Sequence, residues 1–222
     1  METLTPKALE YVRRIPVREE HVGKVKGRGG ANTVVEYGGK TPRVLKLPTF
    51  RIEASTIRAA ISKAISPRNA DSAKREIDLY QQYFEKWAVW SEVRASREAY
   101  GVLQPEISIE PLTPKHCKQH PFLERELEYI LEQNRKLQLE QNYFVDLQGF
   151  NTTQLLRLLF AGEGECGNIS VERNVKGEPV GLRMFDPGVL PRNASMVVQY
   201  MVQDMNLGTF NTGFRRKRKP RM

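Results

Sequence analysis

The most constraining feature of the chain is a segment near its C-terminus with the pattern of two short strands joined by a turn. Apolar and polar residues alternate over 169–171 and again over 180–184, with turn residues at 176–178. Asn168 opens this hairpin and Asp186 closes it, so both side chains are expected at the same end. Amide and carboxylate oxygens are ligands that suit a hard cation such as Mg²⁺. The segment therefore predicts a metal-binding hairpin, with a solvated Asp at the end of an ordinary hairpin as the plain alternative.

A glycine-rich turn is the main feature of the N-terminal third. The pattern G-x-G-x-x-G-x-V matches at Gly27, Gly29 and Val34, with Gly30 inside it and Asn32 in place of the third glycine. Glycines let the backbone approach phosphate oxygens closely, and Asn tolerates the positive φ that we expect at position 32. The pattern predicts a phosphate-binding turn between two strands, although a flexible surface hairpin has the same composition.

A single lysine, Lys46, lies in the short apolar strand predicted over 43–48. Burying an unpaired ammonium is costly, so this lysine needs a partner. The helix predicted from about 69 to 90 places Glu76 beside its apolar face. We therefore predict that Glu76 pairs with Lys46, with Glu85 as a competitor and a simply solvated glutamate as the ordinary alternative.

Periodicity predicts most of the remaining elements. The apolar spacing indicates helices over 5–14, 52–65 and 121–141, and strands over 92–96 and 100–109.

The chain resembles the protein-kinase family in the order of its motifs, which are the glycine turn, the strand lysine, the helix glutamate, the Asn and Asp186-Pro187-Gly188. The last of these has Pro where the family's D-F-G motif has Phe. The resemblance implies an α+β, two-lobed protein-kinase-like fold, with a small antiparallel N-lobe sheet and a reduced, mostly helical C-lobe. The expected boundaries are a kinase-like domain over 1–205, with the N-lobe at about 15–109 and the truncated C-lobe at 110–205.

The resemblance also implies an activity. This activity is ATP- and Mg²⁺-dependent phosphoryl transfer, which moves the γ-phosphoryl group to a hydroxyl on a protein or a small molecule. Lys46 would grip the nucleotide phosphates, Glu76 would orient that lysine, and the Asn and Asp of the hairpin would hold the metal. Glu106 and Ile107 would lie at the edge that binds the base.

The catalytic base has two candidates. The family places an Asp five residues before the metal-binding Asn, and Glu163 stands at that position without a preceding His-Arg pair. Asp146 instead follows an apolar strand-like run and reads D-L-x-x-x-N with Asn151. We assign Asp146 to the catalytic position and the predicted helix 152–160 to an insertion before Asn168, although Asp146 could simply cap that helix.

Departures from the family pattern leave two outcomes open. The third glycine, the His-Arg pair and the Phe of D-F-G are replaced, and no A-P-E element follows Asp186. The chain therefore resembles a minimal or divergent kinase-like protein, of the kind found among bacterial and effector proteins. It is either an active kinase or a nucleotide-binding pseudokinase that acts through interactions.

Composition suits one globular body, since the 222 residues are 40% hydrophobic and 27% charged. No apolar run approaches the roughly 18 residues of a membrane span, and the N-terminus lacks the apolar region of a secretory signal. Cys117 and Cys166 have no metal-ligand spacing, which is typical of a reducing compartment. We expect a cytoplasmic protein, or one delivered to a host cytosol if it is an effector.

A basic tail is predicted over 206–222. The net charge is +9, and residues 214–221 hold six Lys or Arg residues after a Gly- and Asn-containing linker. Such a tail binds polyanions weakly, so a non-catalytic nucleic-acid binder is the competing hypothesis, and a merely solubilising tail is the plain one.

Overall fold

The computed structural model describes residues 2–29, 31–53, 57–147, 166–186 and 188–191. Its helices are α1 Pro6–Arg13, α2 Thr49–Ile52, α3 Ile57–Ile65, α4 Ala70–Phe84, α5 Pro114–Gln119 and α6 Pro121–Gln141. Its strands are β1 Val22–Arg28, β2 Asn32–Tyr37, β3 Arg43–Pro48, β4 Glu92–Ala95, β5 Tyr100–Pro105, β6 Pro111–Leu112, β7 Tyr143–Val145, β8 Cys166–Arg173, β9 Pro179–Met184 and β10 Val189–Pro191.

The first lobe is a five-stranded antiparallel sheet in the order β1-β2-β3-β5-β4. One face is covered by α1, whose N-terminus is capped by Thr5 and begins with Pro6. Val35, Leu45 and Leu103 lie in the core on that face together with the apolar side of α1. Because successive side chains of a strand point to opposite faces, the residues next to these three point to the other face of the sheet.

That opposite face carries Lys46. Val34, Lys46 and Val102 are directly paired across β2, β3 and β5, so their side chains share one side of the sheet. Lys46 is only 6% exposed, although its ammonium is charged and its cross-strand neighbours are apolar. The Lys46 ammonium therefore lies buried on the face of the sheet opposite α1, where it needs a polar partner.

The second lobe has its own core, formed mainly by α4, α6 and the β8–β9 hairpin. Helix α6 begins with Pro121 and ends at Gln141, and its C-cap Asn142 adopts the left-handed conformation with φ +58°. Apolar residues of α4, including Tyr80 and Phe84, pack into this core. Helix α4 also lies against β4 of the sheet and so connects the two lobes.

The β8–β9 hairpin is antiparallel, with Ile169 opposite Met184. Its turn is closed by Asn174, whose Oδ1 accepts hydrogen bonds from two backbone amides, and by Gly177 at φ +80°. Strand β6 extends the hairpin to three strands, while β7 pairs separately with β10. The predicted hairpin is therefore present, and its open end faces Lys46.

The predicted α+β class, with an antiparallel N-terminal sheet and helices, is confirmed. Two helices differ from the prediction of 52–65 and 69–90: α2 ends at Ile52, Glu53 is extended and α3 is Ile57–Ile65, and α4 ends at Phe84 rather than near residue 90. The chain leaves the helix because the Trp87 carbonyl and the Val89 amide bond to the backbone of Met184. No helix among the described residues combines the length and apolar character needed to cross a bilayer.

Candidate active site

Lys46 and Asp186 meet in the structure, although 140 positions separate them. The Lys46 Nζ donates to Asp186 Oδ1 at 3.3 Å and to the Phe185 carbonyl at 2.5 Å. Asp186 follows the end of β9, and its side chain remains partly exposed. The ammonium therefore has a carboxylate partner that also faces solvent, as a group that binds a ligand must.

Asn168 and Asp186 lie at the same end of the hairpin, as the sequence pattern predicts. The Phe185 amide donates to the Asn168 carbonyl at 3.3 Å, which ties the two strand ends together. The Asn168 Nδ2 donates to the Asp146 carbonyl at 2.8 Å. With the amide nitrogen used in this way, Asn168 Oδ1 is the atom available to a cation.

Asp146 joins the same group from a third segment. It follows β7, and its amide donates to the Gly188 carbonyl at 2.9 Å beside the β7–β10 pairing. Asn134 of α6 bonds to both the amide and the carbonyl of Val145, which fixes the end of that strand. Asp146 is buried, 7% exposed, and a side chain at position 188 would contact its Cβ.

The donor set fits Mg²⁺ held jointly with a phosphate ligand. Asn168 and Asp186 offer two hard oxygens, and Mg²⁺ commonly takes one or two protein carboxylates and fills its other positions with water and phosphate. Within the described residues, no group of three or more His, Cys, Asp and Glu side chains is arranged for a metal.

The predicted pairing of Lys46 with Glu76 is wrong in this structure. Glu76 is buried in α4, and no ion pair joins it to Lys46 among the residues described, since Lys46 bonds to Asp186 and Phe185 instead. Burial without a cationic partner raises the pKa of the Glu76 carboxyl from 4.5 to about 8. Glu76 is therefore mainly protonated at neutral pH, and a neutral carboxyl offers little to an ammonium.

The glycine turn joins β1 and β2 next to Lys46. Gly27 is opposite Val34, which is itself opposite Lys46, and no atom lies within 4 Å of where a Gly27 side chain would begin. The expectation of positive φ at Asn32 is wrong, because Asn32 is the first residue of β2 and pairs with Pro48. The Gly29 amide donates to the Asn32 carbonyl at 2.8 Å, which closes the turn. Gly30 lies outside the described residues.

The edge predicted to bind the base is only partly available. The Glu106 amide donates to the Pro42 carbonyl at 3.0 Å, which continues the β3–β5 ladder, and the Glu106 side chain pairs with Lys26. Glu106 is therefore occupied by the protein itself. Ile107 is half-buried at the same edge and stays a prediction.

Two contacts of the site are not indicated by any pattern in the sequence. The Phe185 carbonyl that receives Lys46 is a backbone group, which no residue pattern reveals. The Tyr80 hydroxyl donates to the Met184 carbonyl, and a Tyr on an apolar helix face otherwise reads as core. Glu163, Asn151, the predicted helix 152–160 and the tail 206–222 lie outside the described residues.

No family model matches the sequence, and no curated protein matches it either. A search of solved structures found the Rio2 kinase ADP/Mg²⁺-phosphoaspartate complex from Chaetomium thermophilum, at TM-score 0.49 and 15% identity over 97% of this chain and 62% of that one. A Mycobacterium tuberculosis protein in complex with erythromycin has TM-score 0.37 and 13% identity, covering 99% of this chain and 63% of its own.

A type I macrolide 2'-phosphotransferase has TM-score 0.34 and 13% identity, covering 97% of this chain and 86% of its own. The chain thus spans less than two thirds of the first two structures. Every one of these TM-scores is below 0.5, so these structures carry no argument about the function of this chain.

Proposed function

We propose that the protein binds ATP with Mg²⁺ and transfers the γ-phosphoryl group to a hydroxyl on a protein or a small molecule. The observation that carries this proposal is the convergence of Lys46, Asp146, Asn168 and Asp186. These residues come from β3, the end of β7, β8 and the end of β9, and hydrogen bonds link them into one group. A hairpin that merely ended in a solvated Asp would not require a buried lysine above it.

Each residue has a role that its surroundings support. Lys46 supplies a positive charge for the phosphates, and Asn168 and Asp186 supply oxygens for the cation, which would neutralise charge on the phosphates. Asp146 would accept the hydrogen bond of the acceptor hydroxyl and orient it. Charge neutralisation and positioning supply most of the acceleration in phosphoryl transfer, so the missing His-Arg pair does not exclude the reaction.

The test is transfer of label from γ-labelled ATP in the presence of Mg²⁺, to the chain itself or to added protein and small-molecule acceptors. We expect Asp186→Ala and Asp146→Asn to abolish transfer, and the exposed helix variant Asp78→Asn to retain it. Label that survives Asp186→Ala would show that the activity comes from elsewhere. Loss of transfer in Glu163→Gln with retention in Asp146→Asn would move the base to Glu163.

Nucleotide binding without transfer is the second candidate, and one observation favours it. Protein kinases need the lysine paired with a helix glutamate for catalysis, and Glu76 is buried and unpaired with Lys46 here. A pseudokinase of this kind would bind ATP with Mg²⁺ and would transfer no label under any of the conditions above.

A further inference from the structure

A cluster of buried hydrogen bonds connects the glycine turn to the segment between β3 and α4. Its centre is the carbonyl of Ala31, the last residue of the turn. This oxygen accepts a hydrogen bond from the Ser62 hydroxyl at 2.6 Å and from the Ser66 hydroxyl at 3.3 Å. It also accepts one from the Thr49 amide at 3.0 Å, which continues the β2–β3 ladder.

The two serines are themselves held in place. Ser62 Oγ accepts from the Phe50 amide at 3.1 Å and lies 3.3 Å from Ser66 Oγ. Both serines are buried, Ser62 completely. A second buried contact, between the hydroxyls of Thr33 and Thr49 at 3.2 Å, joins the start of β2 to α2 just after the turn. The glycine turn is therefore held by side-chain hydrogen bonds in addition to the backbone hydrogen bonds of the sheet.

The anchored turn is the one next to the candidate phosphate site. Ala31 lies three residues before Val34, the cross-strand neighbour of Lys46. A glycine turn with one anchor point could shift relative to Lys46, whereas a turn whose carbonyl accepts three donors has a fixed position. Fixing a binding element before the ligand arrives lowers the entropy lost on binding.

We propose that Ser62 and Ser66 are positioning residues for a nucleoside triphosphate, because they hold the Ala31 carbonyl and so fix the glycine turn next to the strand residue opposite Lys46. The inference rests on the proposed function and goes beyond it by naming residues that act on the phosphates without touching them. Because we expect the base at the edge near Ile107 and not at the glycine turn, the effect should be specific to phosphate-bearing ligands.

The test compares the affinities of wild type and variants for ATP with Mg²⁺ and for adenosine. In Ser62→Ala and Ser66→Ala we expect ATP binding to weaken roughly two- to tenfold, the change that one lost hydrogen bond corresponds to, and in the double variant we expect a larger loss. Adenosine binding should stay unchanged. Ser72→Ala is the matched control, since this helix serine makes no side-chain bond to the turn. Equal loss for both ligands, or ATP binding that is unchanged or tighter, would overturn the inference.

A second measurement separates this inference from the proposed function. Hydrogen exchange of the amides of residues 28–33 should be faster in the serine variants than in wild type, with no nucleotide present. Unchanged exchange would overturn the anchoring role even if ATP binds. If wild type binds no ATP, the proposed function fails and the role toward phosphates fails with it, whereas faster exchange would still identify the anchor. Ser66→Ala, the weaker contact, serves if Ser62→Ala does not fold.

Discussion

Asp186 has two roles at the residue scale, as the partner of Lys46 and as a proposed metal ligand. Asp186→Asn keeps the shape of the side chain and removes its charge. Lys46 is almost fully buried, so loss of its carboxylate partner should lower the free energy of unfolding by about 1–3 kcal/mol. Urea unfolding without nucleotide measures this loss. Asp78→Asn on the exposed face of α4 is the control, and an equal effect of the two changes would contradict the pairing.

Glu76 gives a pH dependence whose sign follows from its burial. Its folded-state pKa, about 8, lies above the unfolded value of 4.5, so the folded protein holds a proton that the unfolded chain releases between these two values. The stability associated with this proton is complete below pH 4.5 and is lost as the pH rises through 8. The loss approaches about 1.4 kcal/mol per pH unit within this window.

Glu76→Gln should remove this component, because an amide does not titrate. Urea unfolding of both proteins at pH 5, 6, 7 and 8 isolates the contribution, since all other groups are shared. We expect the stability of wild type relative to the variant to fall steadily with pH. A difference that stays constant would mean that Glu76 is already charged in the folded protein.

At the scale of elements, α4 is joined to the hairpin by the Tyr80 hydroxyl and the Met184 carbonyl. Tyr80→Phe removes this bond and keeps the ring in the core. The Met184 carbonyl still accepts from the Val89 amide, so we expect a loss of only about 0.5–1.5 kcal/mol in thermal unfolding. Tyr83→Phe is the control, because the Tyr83 hydroxyl bonds to Glu140 on α6 instead. No loss in Tyr80→Phe would contradict this connection.

Local signals explain which elements were predictable. Helix α6 has Pro at its start and unbroken apolar spacing, and its predicted range agrees with the structure. The sequence does not predict the end of α4, because the hydrogen bonds of Trp87 and Val89 to Met184 are tertiary contacts that helical spacing does not encode. The backbone conformation of Asn32 is not predictable for a related reason, since a motif indicates the place of a turn but not its dihedral angles.

At the scale of the whole molecule, the order of motifs along the chain predicted that Lys46, Asp146, Asn168 and Asp186 would share one site. Their convergence is a property of topology, which the resemblance supplied. The partner of Lys46 could not be predicted, because Glu76 and Asp186 are both carboxylates and only the packing of α4 separates them. The bonds of Ser62 and Ser66 join two segments whose sequences carry no matching pattern.

Binding of ATP with Mg²⁺ is the measurement that tests the candidate site most directly. At a hundredfold excess over its dissociation constant, a ligand stabilises the folded state by about 2.7 kcal/mol. We predict a thermal shift of wild type with ATP and Mg²⁺, and a reduced shift both when EDTA replaces Mg²⁺ and in Asp186→Asn, while Asp78→Asn behaves as wild type. Wild type that shows no shift at any ATP concentration, or a shift that Asp186→Asn retains in full, would contradict the account.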